Sequence, residues 1–246
     1  MHIFFQRVSC LLFFSLLLPG MVRAEKGTGS SDSLQRQLAG IQAYGAYQVG
    51  GDSLYFPSVL SDLYHRRDGN LLWHQGYSID QLFTAIEVSA EEGLIPNEYH
   101  LQTLLRLRQL LSAGEEDPSL RADFDLLLTD AFIRLAYDKG FGKVDPDQLH
   151  GDWNLPKRNG DYHFVGMIEE TILSGTVGET LAALSPQLPG YTVLKQALGR
   201  YRNIRERGGW PSLAAGPTLN PGDEGERVLI LRWRLVSTGD LSGESL

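Results

Sequence analysis

Cysteine is almost missing from this sequence. The 246 residues hold one, Cys10, inside an apolar N-terminal run. Beyond residue 24 there is therefore no disulfide, no thiolate nucleophile and no sulfur ligand for a metal. Basic charge is scarce too, with 22 Lys and Arg against 30 Asp and Glu and a formal net charge of −8. That balance lacks the basic footprint with which nucleic-acid binders displace counterions, and it argues equally against a polybasic membrane-surface protein. No serine sits in a G-x-S-x-G elbow, and no glycine-rich loop opens a helix after a strand. No H-E-x-x-H occurs, and no two of His65, His74, His100, His150 and His163 stand three or four residues apart. Period-two alternation of apolar residues never persists, so no strand is predicted and the fold class is all-α.

The longest apolar run lies at the N-terminus. Arg7 precedes the stretch Val8–Leu18, Pro19-Gly20 breaks it, and Val22-Arg23-Ala24 offers small residues where a signal peptidase reads. The run is too short for a permanent membrane anchor. Residues 1–24 are predicted to be a signal peptide cleaved after Ala24, leaving a periplasmic chain with no stable membrane anchor. Cys10 has no small-residue lipobox before it, so no lipid modification is expected there. The leader carries Arg7 and Arg23 and no acid, so its removal makes the chain more acidic still. What remains suits one substantial core, or a core and a small satellite domain.

Residues 25–52 are rich in Gly, Ser and Gln and read as a flexible lead-in, with a short helix near 35–44. From Ser53 the punctuation is helical. Leu54, Val59, Leu60 and Leu63 predict a helix ending at Asp68-Gly69-Asn70. Ser78 and Gln81 stand at capping-box spacing ahead of Leu82, Phe83, Ile86 and Ala90, with Gly93 as the stop. Pro96-Asn97 opens a further helix through Leu111. The strongest runs from Ser119 to Lys139. It is apolar over most of its circumference and so belongs at the centre of a core, with Asp130, Arg134 and Asp138 spaced to pair along its remaining face and Gly140 as its C-terminal stop. After a Pro/Gly/Asn-rich connector come helices near 162–173, from the Thr176…Glu179 capping box, over 191–207 and over 224–236. The last cannot bury its own apolar face, and the expectation is a domain interrupted at residue 246.

Candidates for chemistry are few, and each has a plainer alternative. Asp145, Asp147, His150 and Asp152 form the best metal constellation, but acids and histidine in a Pro/Gly loop are commonly turn formers. Glu169 or Glu170 suits the acid of a helical glycan-cleaving enzyme, which needs a carboxyl raised by an apolar cleft. Adjacent helical positions point apart, however, so at least one faces water. Lys195, Arg200, Tyr201, Arg202, Arg205 and Arg207 form either a cradle for an anionic polymer or the wet side of a helix. Trp73 and Trp153 read as plugs of the core, and Trp210 as a seal at the end of the long helix. No catalytic, cofactor or metal residue is assigned.

Five strings, in order, carry a family resemblance: LYHRRDGNLLW (Leu63–Trp73), AEEGLIPNEYH (Ala90–His100), LLLTDAFIRLAYDKGFGKVDP (Leu126–Pro146), YTVLKQALGRYRNIRERGGWP (Tyr191–Pro211) and LNPGDEGERVLILRWRLVSTGDL (Leu219–Leu241). They resemble the scaffold region of large periplasmic L,D-transpeptidases, with Leu71 standing where that region would have a proline. The resemblance implies a scaffold domain over 53–212 and the opening of a peptidoglycan-binding-like domain over 213–246. It implies in addition a β-rich catalytic domain with a histidine and a cysteine, which this sequence does not contain. In such enzymes the thiolate forms an acyl-enzyme with a tetrapeptide stem and passes it to a second stem as a 3–3 crosslink. The function it implies is a non-catalytic scaffold in cell-wall remodelling, without cofactor, whose partners are peptidoglycan, cell-wall proteins or the missing catalytic domain. The alternatives are an autonomous peptidoglycan-binding module and the helical glycan-cleaving enzyme.

Overall fold

The computed structural model of the protein describes residues 28–44, 48–144 and 163–243. The expected leader over 1–24 lies outside them, as do Asp145, Asp147, His150, Asp152 and Trp153. Among the described residues nine α-helices follow one another: α1 Thr28–Tyr44, α2 Pro57–His65, α3 Gly76–Val88, α4 Leu101–Ser112, α5 Pro118–Phe141, α6 His163–Ser174, α7 Val177–Leu184, α8 Pro189–Glu206 and α9 Glu226–Thr238. The only sheet among these residues is a hairpin of two-residue strands, β1 Gln48–Val49 and β2 Asp52–Ser53. The fold is all-α, as expected.

The centre is α5. Apolar side chains surround it: Leu126, Leu127, Leu128, Ala131, Phe132, Leu135 and Ala136 are fully buried. Around it pack α1, α2, α3, α4 and α7, together with β1 and the 3-10 turn Pro96–Tyr99. A helix apolar all round is stable only when covered on every side. Asp117 starts it, its side chain accepting a hydrogen bond from the Ser119 amide at 2.8 Å, with Pro118 at the first position, where a missing N–H costs nothing. Gly140 does not stop it. The helix runs on to Phe141, and Gly142, with a left-handed φ of 92°, closes it.

Residues 28–44 are not part of a loose lead-in. They hold α1, whose Leu34, Leu38 and Ile41 are buried against α2 and α5. The stripe is genuine but diluted by Ser, Gln and Gly, so local composition hides it. Gly69 fixes the exit of α2. Its left-handed φ of 72° lets its N–H bond back to the Tyr64 carbonyl, and a Cβ there would lie 2.7 Å from Gln35 of α1. The Ser78–Gln81 capping box does not form either. Gln75 is the N-cap of α3 and makes no side-chain capping bond, its amide donating instead to the Leu173 carbonyl of α6 at 3.0 Å. Ser78 Oγ instead donates to the Ile172 carbonyl of α6, and Gln81 Oε1 accepts from the Gly178 amide of α7. These two residues bridge helices in place of capping one.

The helix opened by Pro96 is split. A 3-10 turn Pro96–Tyr99 gives way to α4 at His100, whose φ of 57° is left-handed. Helices α8 and α9 sit apart from the core and bury no residue of their own. Helix α8 packs on the turn Ser89–Glu92, and α9 packs on α8. No helix among the described residues is long and apolar enough to cross a membrane.

Candidate functional site

The polar residues of α5 organise the molecule, because each holds a different segment against it. Asp125 is buried and accepts the amide protons of Leu72 at 3.0 and 3.1 Å and of Trp73 at 2.8 Å. Its Oδ1 also accepts from the Tyr64 hydroxyl at 2.5 Å. One turn on, Thr129 accepts from the Trp73 indole N–H at 2.9 Å and donates to the Asp125 carbonyl. Burial pushes the Asp125 carboxyl above its ordinary range, against the pull of those donors. The same burial, reinforced by the neighbouring carboxylate, pushes the Tyr64 phenol up.

Asp130 does the equivalent for the entry to α2. Its two oxygens accept the amide protons of Tyr55 at 3.0 Å and Phe56 at 2.9 Å, the residues just before Pro57. It also meets His100 Nε2 at 2.8 Å, while His100 Nδ1 meets Asp52 of the hairpin at 3.0 Å. The expected line of Asp130, Arg134 and Asp138 along one outer face is thus only half realised. Arg134 lies 3.9 Å from Asp138 and 3.4 Å from Glu98, whereas Asp130 turns inward to two backbone donors and an imidazole. Arg134 instead stacks over the Tyr55 ring, 3.4 Å from its centroid. Tyr99 donates to Asp138 at 2.8 Å.

Between α3 and α7 an apolar trough of about 390 Å³ is lined by Tyr77, Ala85, Val88, Leu181 and Ala182 and reaches Lys139 and Glu92. Lys139 pairs with Glu92 and donates to Ser185 Oγ at 3.1 Å. Lys195 of α8 approaches the other Glu92 oxygen at 3.3 Å. Burial favours the neutral acid at Glu92, but the bond and charge of Lys139, the Tyr191 hydroxyl and Lys195 together hold its carboxyl below the ordinary range. The Tyr191 phenol is pushed up to about 12 by burial and by Glu92.

Of the residues singled out from sequence, Trp73 is 7% exposed and plugs the core edge-on to Phe132. Trp210 stays half-open, edge-on to Tyr201. Glu169 of α6 is paired with Arg67 in the turn that follows α2, and Glu170 is exposed, so the two point apart and neither occupies an apolar cleft. Within the basic set of α8, Lys195 and Arg202 turn inward, to Glu92 and to the Ala90 carbonyl. Arg200 lies over the Tyr201 ring. His65 and His74 do not approach His100, and no cluster of three metal-ligating side chains exists among the described residues. Sequence reasoning passed over Asp125, Glu92 and Lys139. For Asp125 and Lys139 the signal was there: a charge inside a helix apolar all round has no solvent face to occupy and must be paired; Glu92, in the turn Ser89–Glu92, carried none.

No curated protein matches the chain, and no solved structure does. A family model does: that of the scaffold domain, over residues 58–198. The matched stretch runs from the second residue of α2 into α8 and takes in the whole of α5, leaving out α1, the hairpin and the Tyr55–Phe56 segment that Asp130 holds. It covers more than half of the sequence, and the chain belongs to the scaffold domain family.

Proposed function

We propose that this chain is the non-catalytic scaffold part of an exported murein L,D-transpeptidase, serving peptidoglycan 3–3 crosslinking in the periplasm. The observation that carries the reading is the scaffold-domain match over 58–198, joined to the five ordered strings of the sequence. The chemistry agrees with it. Thioester catalysis needs a thiolate, and the single cysteine, Cys10, lies in the leader-like segment. The polar bonds of α5 hold six or more segments in one fixed arrangement, which is what a platform for another domain requires. Helix α9, with Leu229 and Trp233 at 56% and 61% exposure, offers a wide apolar surface of the kind that a following helical domain covers. This supports residues 213–246 as the opening of a peptidoglycan-binding-like domain.

The test is a fusion. A cysteine/histidine catalytic domain of the family joined behind residue 246 should crosslink tetrapeptide stems about tenfold faster than the same domain free, as positioning effects of this size are ordinary. Equal rates would refute a positioning role. One observation favours a second reading, an autonomous wall-binding module: the aromatic and basic exposure of Tyr201, Trp233 and Arg200 on α8 and α9. Retention of the isolated chain on insoluble sacculi would support that reading, and its loss to the supernatant would remove it.

A further inference from the structure

The trough between α3 and α7 is apolar inside and acidic along its edges. Helix α3 and the turn Ser89–Glu92 that extends it carry Asp80, Glu87, Glu91 and Glu92, α7 carries Glu179, and neither wall has a Lys, Arg or His. Cations from elsewhere neutralise two of these carboxylates. Arg108 pairs with Asp80 at 2.5 Å, and Lys139 and Lys195 share Glu92. Arg202 is bonded to the Ala90 carbonyl. Glu87, Glu91 and Glu179 are exposed and have no hydrogen-bond or ion-pair partner among the described residues. Glu87 and Glu91 each stand three residues beyond a lining position, Thr84 and Val88, and so on the same side of the helix as the opening. Glu179 adjoins the lining Gly178. The three free carboxylates edge the trough and do not line it.

We propose that this trough is the docking groove for a basic amphipathic helix of a partner protein. The apolar stripe of that helix lies on Ala85, Val88, Leu181 and Ala182, and the lysines or arginines flanking the stripe meet Glu87, Glu91 and Glu179. Helix pairs divide their contacts in this way, with apolar side chains in the seam and charges beside it choosing the partner. The dimensions agree. Along α3 the lining runs from Tyr77 to Val88, about 16 Å of helix and longer than the span from i to i+7. The volume of about 390 Å³, at about 30 Å³ for each water-sized group, holds roughly a dozen non-hydrogen atoms, the content of three leucine side chains. Tyr77 and Val88 are 68% and 42% exposed, apolar surface that such a helix covers. An acidic helix fills the same floor but sets its charges against three carboxylates, and a small apolar molecule gains nothing from them.

The experiment is fluorescence anisotropy of labelled synthetic helices titrated with the full chain. One peptide of about five helical turns carries leucines at i, i+3, i+4 and i+7 with lysines beside them. A second has glutamate in place of each lysine, and a third has serine in place of each leucine. The expected result is saturable binding of one lysine–leucine peptide per chain, about tenfold tighter than its glutamate counterpart, the combined effect of three exposed ion pairs. That margin should shrink at about 0.5 M salt. Ala182→Trp, at an exposed lining position of α7, should abolish binding. Changing Glu87→Gln, Glu91→Gln and Glu179→Gln together, all at exposed positions, should bring the lysine and glutamate peptides within about twofold of each other. Absence of saturable binding, equal affinity for the lysine and glutamate peptides, or undiminished binding to Ala182→Trp would each overturn the proposal. A serine peptide that binds as tightly as the lysine–leucine one would overturn it too, by assigning the attraction to the acidic chain as a whole and not to the trough.

Discussion

Replacing Asp125 with Ala removes the acceptor for two buried backbone donors and one phenol. The amides of Leu72 and Trp73 have no other partner in the bonds described above, and no water can reach them beneath a side chain as buried as Leu72. Each stranded donor costs about 1–3 kcal/mol. The Tyr64 hydroxyl loses less, because Thr129 Oγ1 remains 2.7 Å away. The sum is about 4 kcal/mol, a large share of the roughly 5–15 kcal/mol that holds a typical domain together. Asp125→Asn should cost about half as much, since one oxygen can still accept while its amide faces donors. Urea unfolding followed by tryptophan fluorescence measures both, and near-ultraviolet circular dichroism reports the setting of Trp73. A loss below about 1 kcal/mol for Asp125→Ala, with the Trp73 signal unchanged, would refute the role assigned to this carboxylate.

Glu92 has its folded pKa held below the ordinary 4.5, so it adds stability above that value and loses it as pH falls through the folded one. Glu92→Gln should therefore be less stable than the native chain at pH 7, with the gap closing below about pH 4 in urea titrations. Asp138 has the opposite sign: burial raises it, the unfolded chain ionises first as pH rises, and its contribution declines from about pH 4 upward. Gly69→Ala places a Cβ at a left-handed φ and against Gln35. It should cost about 2 kcal/mol, seen as a lower midpoint of unfolding. Arg134→Ala loses the stack on Tyr55 and two carboxylate contacts and should cost about 2 kcal/mol in the same assay; no change would show the stack to be incidental.

The helices were legible wherever apolar residues recur densely. The run from Leu120 to Ala136 announces α5 as the centre of a core, and it is. Diluted stripes were not legible: Leu34, Leu38 and Ile41 are buried in the same core as α5, but glutamine, arginine and glycine between them, after a Gly/Ser-rich stretch, read locally as a linker. Capping boxes misled for a different reason. Ser78 and Gln81 carry the right chemistry at the right spacing, yet α6 and α7 lie close enough to take both side chains, a tertiary fact that local sequence does not hold. Asp130 shows the limit of i, i+4 reasoning. Its spacing from Arg134 allows a pair, and the competing donors at Tyr55 and Phe56, some 75 residues away, decide otherwise. The trough has no sequence signature because its two walls come from α3 and α7, separated by the whole of α4, α5 and α6. The exposed apolar surface of α9, by contrast, is read directly from a helix with apolar residues on several sides and nothing nearby to cover them.

Under the proposed function this chain organises wall chemistry without performing it. The most direct measurement is to incubate the purified chain with sacculi rich in tetrapeptide stems, digest them, and separate the muropeptides by liquid chromatography with mass detection. The account predicts no free D-alanine and no 3–3 linked dimers above the untreated sample. Either product, formed by this chain alone, would contradict it.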